Sequence, residues 1–174
     1  MKSPELRKEL SELALHKRGI RINLQLPLIE SEDEIVLRSS AEVRQRLIAL
    51  ELLRAAPSGN DEALRFLLWA AGVQPHIGMP DGKHVAADLA SAIALDGATL
   101  AQCDIKLRTK SVLLDWADLL YRLHWAVRHA QITARAVPGR LDAQAVHAWH
   151  QAVNWLIRYE DEDNWDLVST DTAG

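Results

Sequence analysis

The chain has 174 residues, of which 48% are hydrophobic and 25% charged. That length supports one domain with a sizeable core, and the composition excludes a disordered chain, a collagen-like chain and a coiled-coil rod. The formal net charge is −4, but it is unevenly spread. Tyr159 to Gly174 carries Glu160, Asp161, Glu162, Asp163, Asp166 and Asp171 with no Lys or Arg. The body is therefore near neutral and the tail acidic. With no basic stripe, the usual electrostatic footprint of nucleic-acid binding is missing.

Apolar stretches such as Phe66 to Val73 fall far short of the ~20 residues needed to cross a bilayer. Met1-Lys2-Ser3-Pro4-Glu5 opens without the apolar run of a secretory signal. The single cysteine, Cys103, has no internal disulfide partner, so a reducing, cytoplasmic location is expected.

In chain order, Ser3-Pro4 reads as a helix start. Leu6, Leu10, Leu13 and His16 follow at helical spacing, and Gly19 marks a stop. Residues 20–27 alternate apolar and polar and end in Pro27, which suits an extended arm, at most a short ribbon, and excludes a central strand. The arm runs to about residue 37. Ser39-Ser40-Ala41-Glu42 is a capping box for a helix reaching about Ala55, with Val43, Leu47, Leu50 and Leu53 inward. Pro57-Ser58-Gly59-Asn60 breaks it, and Asn60 caps a helix with Leu64, Leu67, Leu68 and Ala71 inward and Gly72 at its end. Residues 73–84 read as a loop, and a short helix from about Val85 to Leu95 stops at Asp96-Gly97.

The strongest helices come last. Residues 111–131 place Val112, Trp116, Leu119, Leu123 and Val127 on one face. After a turn at Pro138-Gly139, Asp142 caps a helix to about Tyr159 with Val146, Trp149, Val153 and Leu156 inward. The short connection predicts an antiparallel hairpin. The expected fold is mainly α: a single-domain irregular helical bundle over 1–174. It comprises an N-terminal helix and extended arm (1–38), middle helices (39–106) and a hairpin with an acidic tail (107–174).

Polar residues concentrate on that hairpin. Asp115, Asp118, Arg122, Trp125 and His129 follow one another at spacings of three or four and share a stripe, flanked by Tyr121 and His124. His147, His150, Asn154 and Arg158 form a second row. If the rows meet, His147 and His150 with Asp115 or Asp118 suit zinc or iron, although the spacing matches no standard zinc or di-iron motif. Asp115, Asp118, His124 and His150 are the candidates for acid–base catalysis. No nucleophile-elbow, phosphate-loop or dinucleotide-binding glycine pattern accompanies them. The structural alternative is a hydrogen-bonded network fixing how the helices meet, and it is favoured over a metal site. Six tryptophans add a third reading, a protein-binding surface, since Trp and Arg are common interface anchors.

These residues resemble a known family. Leu107-Arg108 and the run from Leu113 to Arg128, with His150 to Leu156 and Trp165 to Thr172, are similar to the signature of a bacterial family named only as a domain of unknown function, DUF 4272. Gly19-Ile20, Leu26-Pro27, the acidic run Glu30 to Glu34, Leu37-Arg38-Ser39 and Glu42 to Arg46 fit as well. The family commonly has an Arg where Trp149 stands, and the middle, about residues 56–106, looks shortened. The resemblance implies a mainly helical, intracellular bacterial protein and supplies no activity. Its signature positions are Asp115, Asp118, Tyr121, Arg122, His124, Trp125, His150, Asn154, Trp155, Trp165, Asp166 and Asp171. A signature that includes the tail implies that residues 165–172 dock on the body, with Asp166 and Asp171 reaching toward Arg122 or Arg128.

The expected function is a non-enzymatic protein-binding module, of the kind of an immunity protein that neutralises a toxin. The binding residues would be Tyr121, Arg122, Trp125, Asn154, Glu160, Asp161, Glu162, Asp163, Trp165 and Asp166. The alternatives are a metal-assisted hydrolase or small-ligand enzyme built on the Asp/His cluster, and a purely structural network. The expected partner is a basic protein. No cofactor, nucleic acid or membrane partner is expected, and the sequence sets no oligomeric state.

Overall fold

In a computed structural model, which describes residues 1–54, 59–83 and 97–172, the chain is mainly α-helical. The helices are α1 (Pro4–Lys17), α2 (Ser40–Leu52), α3 (Gly59–Ala70), α4 (Gly97–Gln102), α5 (Lys110–Ile132) and α6 (Ala143–Leu156). Four short 3-10 turns, at Glu32–Glu34, Pro138–Arg140, Tyr159–Asp161 and Trp165–Leu167, punctuate the connections. No described helix is long and apolar enough to cross a membrane.

The predicted caps form. Ser3 Oγ accepts from the Leu6 N–H at 3.1 Å, and Asp142 Oδ2 from the Ala145 N–H at 2.8 Å. Ser39 and Glu42 close a reciprocal capping box, each bond 3.1 Å. Each such cap is worth about 1 kcal/mol to its helix. The sequence pattern misplaces some ends. The second helix stops at Leu52, leaving Leu53 exposed rather than inward, while Ala55 lies outside the described residues. Helix α3 begins one residue before its predicted cap, Asn60. Gly97, expected to end a helix, opens α4 instead, and the helix expected over 85–95 lies outside the described residues.

Helices α3, α5 and α6 form the centre: α6 packs against both of the others, α1 against α5, and α2 against α3 and α4. Phe66, Trp69, Trp116 and Trp149 interlock there, with neighbouring ring centroids 5.5 to 6.2 Å apart in tilted and edge-on pairs. Such pairs add about 0.5–1.5 kcal/mol beyond simple burial. The indole N–H of the fully buried Trp149 donates to Glu62 Oε2 at 2.7 Å. Residues on α5 pair with residues on α6 in descending order, Tyr121 with His150 and His124 with His147, so the two form the antiparallel hairpin.

The arm forms no strand among the described residues. Several of its carbonyls are satisfied by side chains from the body. Arg122 Nη2 donates to the Pro27 carbonyl at 3.0 Å, Lys110 Nζ to Ile35 at 2.9 Å and Lys8 Nζ to Leu24 at 3.0 Å. Ile20, Leu26 and Ile35 anchor it in the body. Helix α1 turns an unusual face inward: Arg7, Ser11 and Leu15 are buried, while Leu6, Leu10 and Leu13 are 42, 45 and 48% exposed.

The tail is docked as the signature implies. Trp165, Val168 and Thr172 are buried, Gln151 Nε2 donates to the Trp165 carbonyl at 2.8 Å, and Asn154 Nδ2 to Ser169 at 2.9 Å. The basic group beside Asp166 is Arg46 of α2, a correction to its expected pairing with Arg122 or Arg128, because the Trp165–Leu167 turn lies against α2 and only farther on does the tail reach the cleft beside Tyr121. Removing residues 164–174 exposes what these groups cover. Loss of Trp165 burial alone costs about 3 kcal/mol, so the truncated chain should melt roughly 10 °C lower by circular dichroism.

Gly72 ends α3 at φ +77°, and a Cβ there would lie 2.5 Å from the Lys106 carbonyl oxygen. That oxygen belongs to the strap whose N–H groups at Lys106 and Arg108 donate to Ala71 and Ala70. Both the left-handed backbone and the contact oppose any side chain. Gly72→Ala should cost about 2 kcal/mol or more in a urea titration.

Candidate functional site

The polar stripe of α5 divides its residues among different neighbours. Asp115 faces α1, accepting from Lys2 Nζ at 2.9 Å and Arg7 Nε at 3.0 Å. Asp118, fully buried, holds Arg122 in a two-pronged pair at 2.9 and 3.0 Å while that guanidinium clamps the arm. Trp125 stacks flat on His129, centroids 4.7 Å apart and planes 10° off parallel. The two aspartates thus turn to α1 and the arm, and the histidines of α6 do not share their partners. The meeting of Asp115 or Asp118 with His147 and His150, on which the metal alternative depended, is therefore not seen. The helix is buried on several sides at once, so one face meets α6 and another meets α1. Among the described residues no group of three His, Cys, Asp or Glu side chains is placed to hold a metal ion.

What does meet α6 is His124. Its Nδ1 lies 2.9 Å from Nδ1 of His150, and its ring centroid is 5.5 Å from that of His147. An Nδ1–Nδ1 bond requires one ring to donate and the other to accept. Burial, aided by the charges of His147 and Arg128, pulls His124 down to about 4. Burial, with the nearby His124 and His147, holds His150 well below its ordinary value, and burial and Arg128 lower His147. At neutral pH the pair is uncharged.

His150 also lines a cleft of about 90 Å³ between the arm, α5, α6 and the tail. Tyr121, Asn154, Tyr159, Glu30 and Asp171 share its walls. Burial raises both tyrosines, Tyr159 to about 12, so their hydroxyls stay protonated. Asn154 bonds the tail through one Nδ2 hydrogen, which leaves its second N–H and its Oδ1 acceptor.

The acidic run is partly built into the fold. Asp163, 84% exposed, accepts from the buried Arg38 at 2.9 Å and lies 3.7 Å from Arg158. Arg38 also donates to the carbonyls of Trp155 and Glu162 at 2.8 and 2.6 Å. The Glu162 carboxylate accepts from the Asn164 N–H at 3.1 Å. Glu160 and Asp161 are exposed on a left-handed turn, φ +57° and +54°. Trp165 packs edge-on against Trp155, 5.4 Å between centroids, with the Arg46 guanidinium 4.8 Å from its ring.

A family model described as "Domain of unknown function (DUF4272)" matches residues 7–61 and 55–168. The chain belongs to this family. The second match spans the middle region that looked shortened in the sequence. No curated protein and no solved structure matches the chain. Of the residues on which the resemblance rests, Asp118, Arg122, Trp155 and Trp165 hold arm and tail to the body, Tyr121, His150 and Asp171 line the cleft, and Asn154 does both. Sequence reasoning missed Glu62, Arg7 and Glu30. Glu62 and Arg7 show no sign of burial in a periodic pattern, and only the resemblance touched Glu30.

Depressed histidines make the fold acid-sensitive. His124 titrates at 6.5 when unfolded and about 4 when folded, so the unfolded chain takes up the proton first. Stability is full above 6.5 and falls as pH drops toward 4. His124 alone contributes a loss on the order of 2 kcal/mol by pH 5. His124→Gln, compared with wild type by urea titration at pH 7 and pH 5, should lose less by about that amount. An equal loss in both proteins would overturn the assignment.

Proposed function

We propose that this DUF4272 protein is a protein-binding module whose docking surface is the outer face of α1. The observation that carries this reading is the inverted amphipathicity of the helix. Its body-facing side holds Arg7 and Ser11, while Leu6, Leu10 and Leu13, at steps of four and three, form an apolar stripe open to solvent. A helix of this kind leaves its own strongest hydrophobic face for another molecule. Glu5, Glu9 and Glu12 flank the stripe on one edge, and Glu9, Leu10, Glu12 and Leu13 share a shallow groove with Ile22.

The charge of that edge selects the occupant. A second copy packed antiparallel on the stripe would set the same glutamate edge against itself. An amphipathic helix with a basic edge from a partner protein meets attraction instead, and its charge speeds the encounter. The proposal keeps the basic protein partner expected from the sequence and moves the contact from Trp125 and residues 160–163 to α1. Trp125 is already stacked on His129, and Asp163 is held by Arg38. A toxin whose working surface is basic would be blocked if that surface were covered, so an immunity-type role in the bacterial cytoplasm suits the same face of α1.

The test uses a synthetic amphipathic helix with leucines on one face and lysines along one edge, and its counterpart with glutamates. Titrated against the whole chain by fluorescence anisotropy, the basic peptide should bind and weaken with added salt. It should lose roughly tenfold or more in affinity to a Leu6→Ser, Leu10→Ser, Leu13→Ser variant. Equal binding of the acidic peptide, or unchanged binding by the variant, overturns the proposal. Concentration-dependent dimerisation lost in the same variant would assign the stripe to a second copy and overturn it too.

A further inference from the structure

The cleft between the arm and the helix hairpin has a chemistry that the docking surface on α1 does not explain. It is a partly open cleft of about 90 Å³, room for a small ligand. Its polar walls offer several hydrogen-bond acceptors. Asn154 gives one Nδ2 hydrogen to the Ser169 carbonyl, and its Oδ1 can accept from a ligand. His150 spends Nδ1 on His124, which leaves Nε2. The proton between the two rings can reside on His124, giving Nε2–H, or on His150, giving a bare Nε2 that accepts. Glu30 and Asp171 bring carboxylates, and Tyr121 and Tyr159 bring aromatic rings and neutral hydroxyls. Among the described lining residues there is no Lys or Arg, although the Arg122 guanidinium lies 5.7 Å from the centroid of the Tyr121 ring.

A ligand fitting these walls donates hydrogen bonds, carries positive charge and is a few non-hydrogen atoms across. The geometry points to a binding site for a small organic ammonium group, seated between the Tyr121 and Tyr159 side chains with its N–H donors toward Asn154 Oδ1, Glu30 and His150 Nε2. Aromatic rings with a carboxylate nearby attract such cations more strongly when water is partly excluded. Apolar contacts from Ile29, Ala117 and Ile157 suit the alkyl part. A metal cation is the poorer match, because no three ligating side chains among the described residues converge. The ammonium can come from a free amine or from a lysine side chain, and both present the same chemistry to the cleft.

The whole chain, with its histidine and tyrosine side chains isotopically labelled, is titrated with butylammonium, with butanol as the uncharged analogue, and with Nα-acetyl-lysine methylamide. Butylammonium should give saturable shifts of the His150, Tyr121 and Tyr159 signals, and butanol should not. In Glu30→Gln, which removes none of the ion pairs that hold the fold, affinity should fall about tenfold, the size expected for losing one charge-assisted hydrogen bond. An unchanged melting temperature for that variant separates loss of binding from loss of fold. Saturable binding of the lysine derivative as well assigns the source to a protein side chain, and binding of butylammonium alone assigns it to a free amine. Equal binding of butanol, absence of saturable shifts, or an unaltered affinity in Glu30→Gln overturns the inference.

Discussion

The structure depends on cationic side chains that donate to backbone carbonyls. Arg122 clamps Leu26 and Pro27 while Asp118 holds it from behind. Arg38 ties the end of α6 to the tail through Trp155 and Glu162. Arg108 reaches the end of α3 and the following loop through Trp69, Gln74 and Pro75, and Arg44 closes the end of α4 through Leu100 and Cys103. Helix C-termini leave carbonyls without intrahelical partners and carry partial negative charge, so a guanidinium satisfies both needs at once. The fold thereby uses side chains where many proteins use strand pairing, which is how a long irregular arm can lie on a helical body.

The same constraint explains where charge is not available for other work. A buried cation needs a partner or its desolvation cost stands uncompensated. Asp118, Asp115, Glu42 and Asp163 supply those partners, and their carboxylates are oriented by the arginines they hold. Acid–base chemistry asks for a carboxylate poised against a substrate rather than saturated by a guanidinium. The uncharged His124–His150 pair holds none of these guanidiniums, although the cleft beside it borders the framework where Arg122 clamps Pro27.

All the described helices but α4, which opens at the Gly97 that reads as a helix end, were legible from capping residues and apolar spacing. Ser3, Ser39, Asp142 and Gly72 mark their ends by local chemistry that does not depend on tertiary contacts. The antiparallel hairpin was legible for a similar reason: Pro138-Gly139 leaves little room for another path. The orientation of α1 was not, because three leucines at helical spacing look like a core face, and only the long-range pair Arg7–Asp115 decides that the opposite side turns inward. The polar rows were legible as rows but not as neighbours. A helix buried on several sides has more than one inward face, and spacing cannot say which neighbour each face meets. Arg38 and Arg108 were invisible as clamps because a surface arginine and a carbonyl clamp look identical in sequence.

The clamps also impose an order on synthesis. Residues 1–38 leave the ribosome well before α5 and α6, yet their partners lie about a hundred positions downstream: Arg122 for Leu26, Asp115 for Lys2 and Trp155 for Arg38. Contacts of such sequence separation close late. During translation the arm therefore has no place to dock, and its apolar residues Ile20, Leu26 and Ile35 wait in the company of the exposed leucines of α1. A nascent chain of this protein presents a hydrophobic N-terminal fifth until the hairpin emerges, which makes that interval the one in which it most needs protection from aggregation.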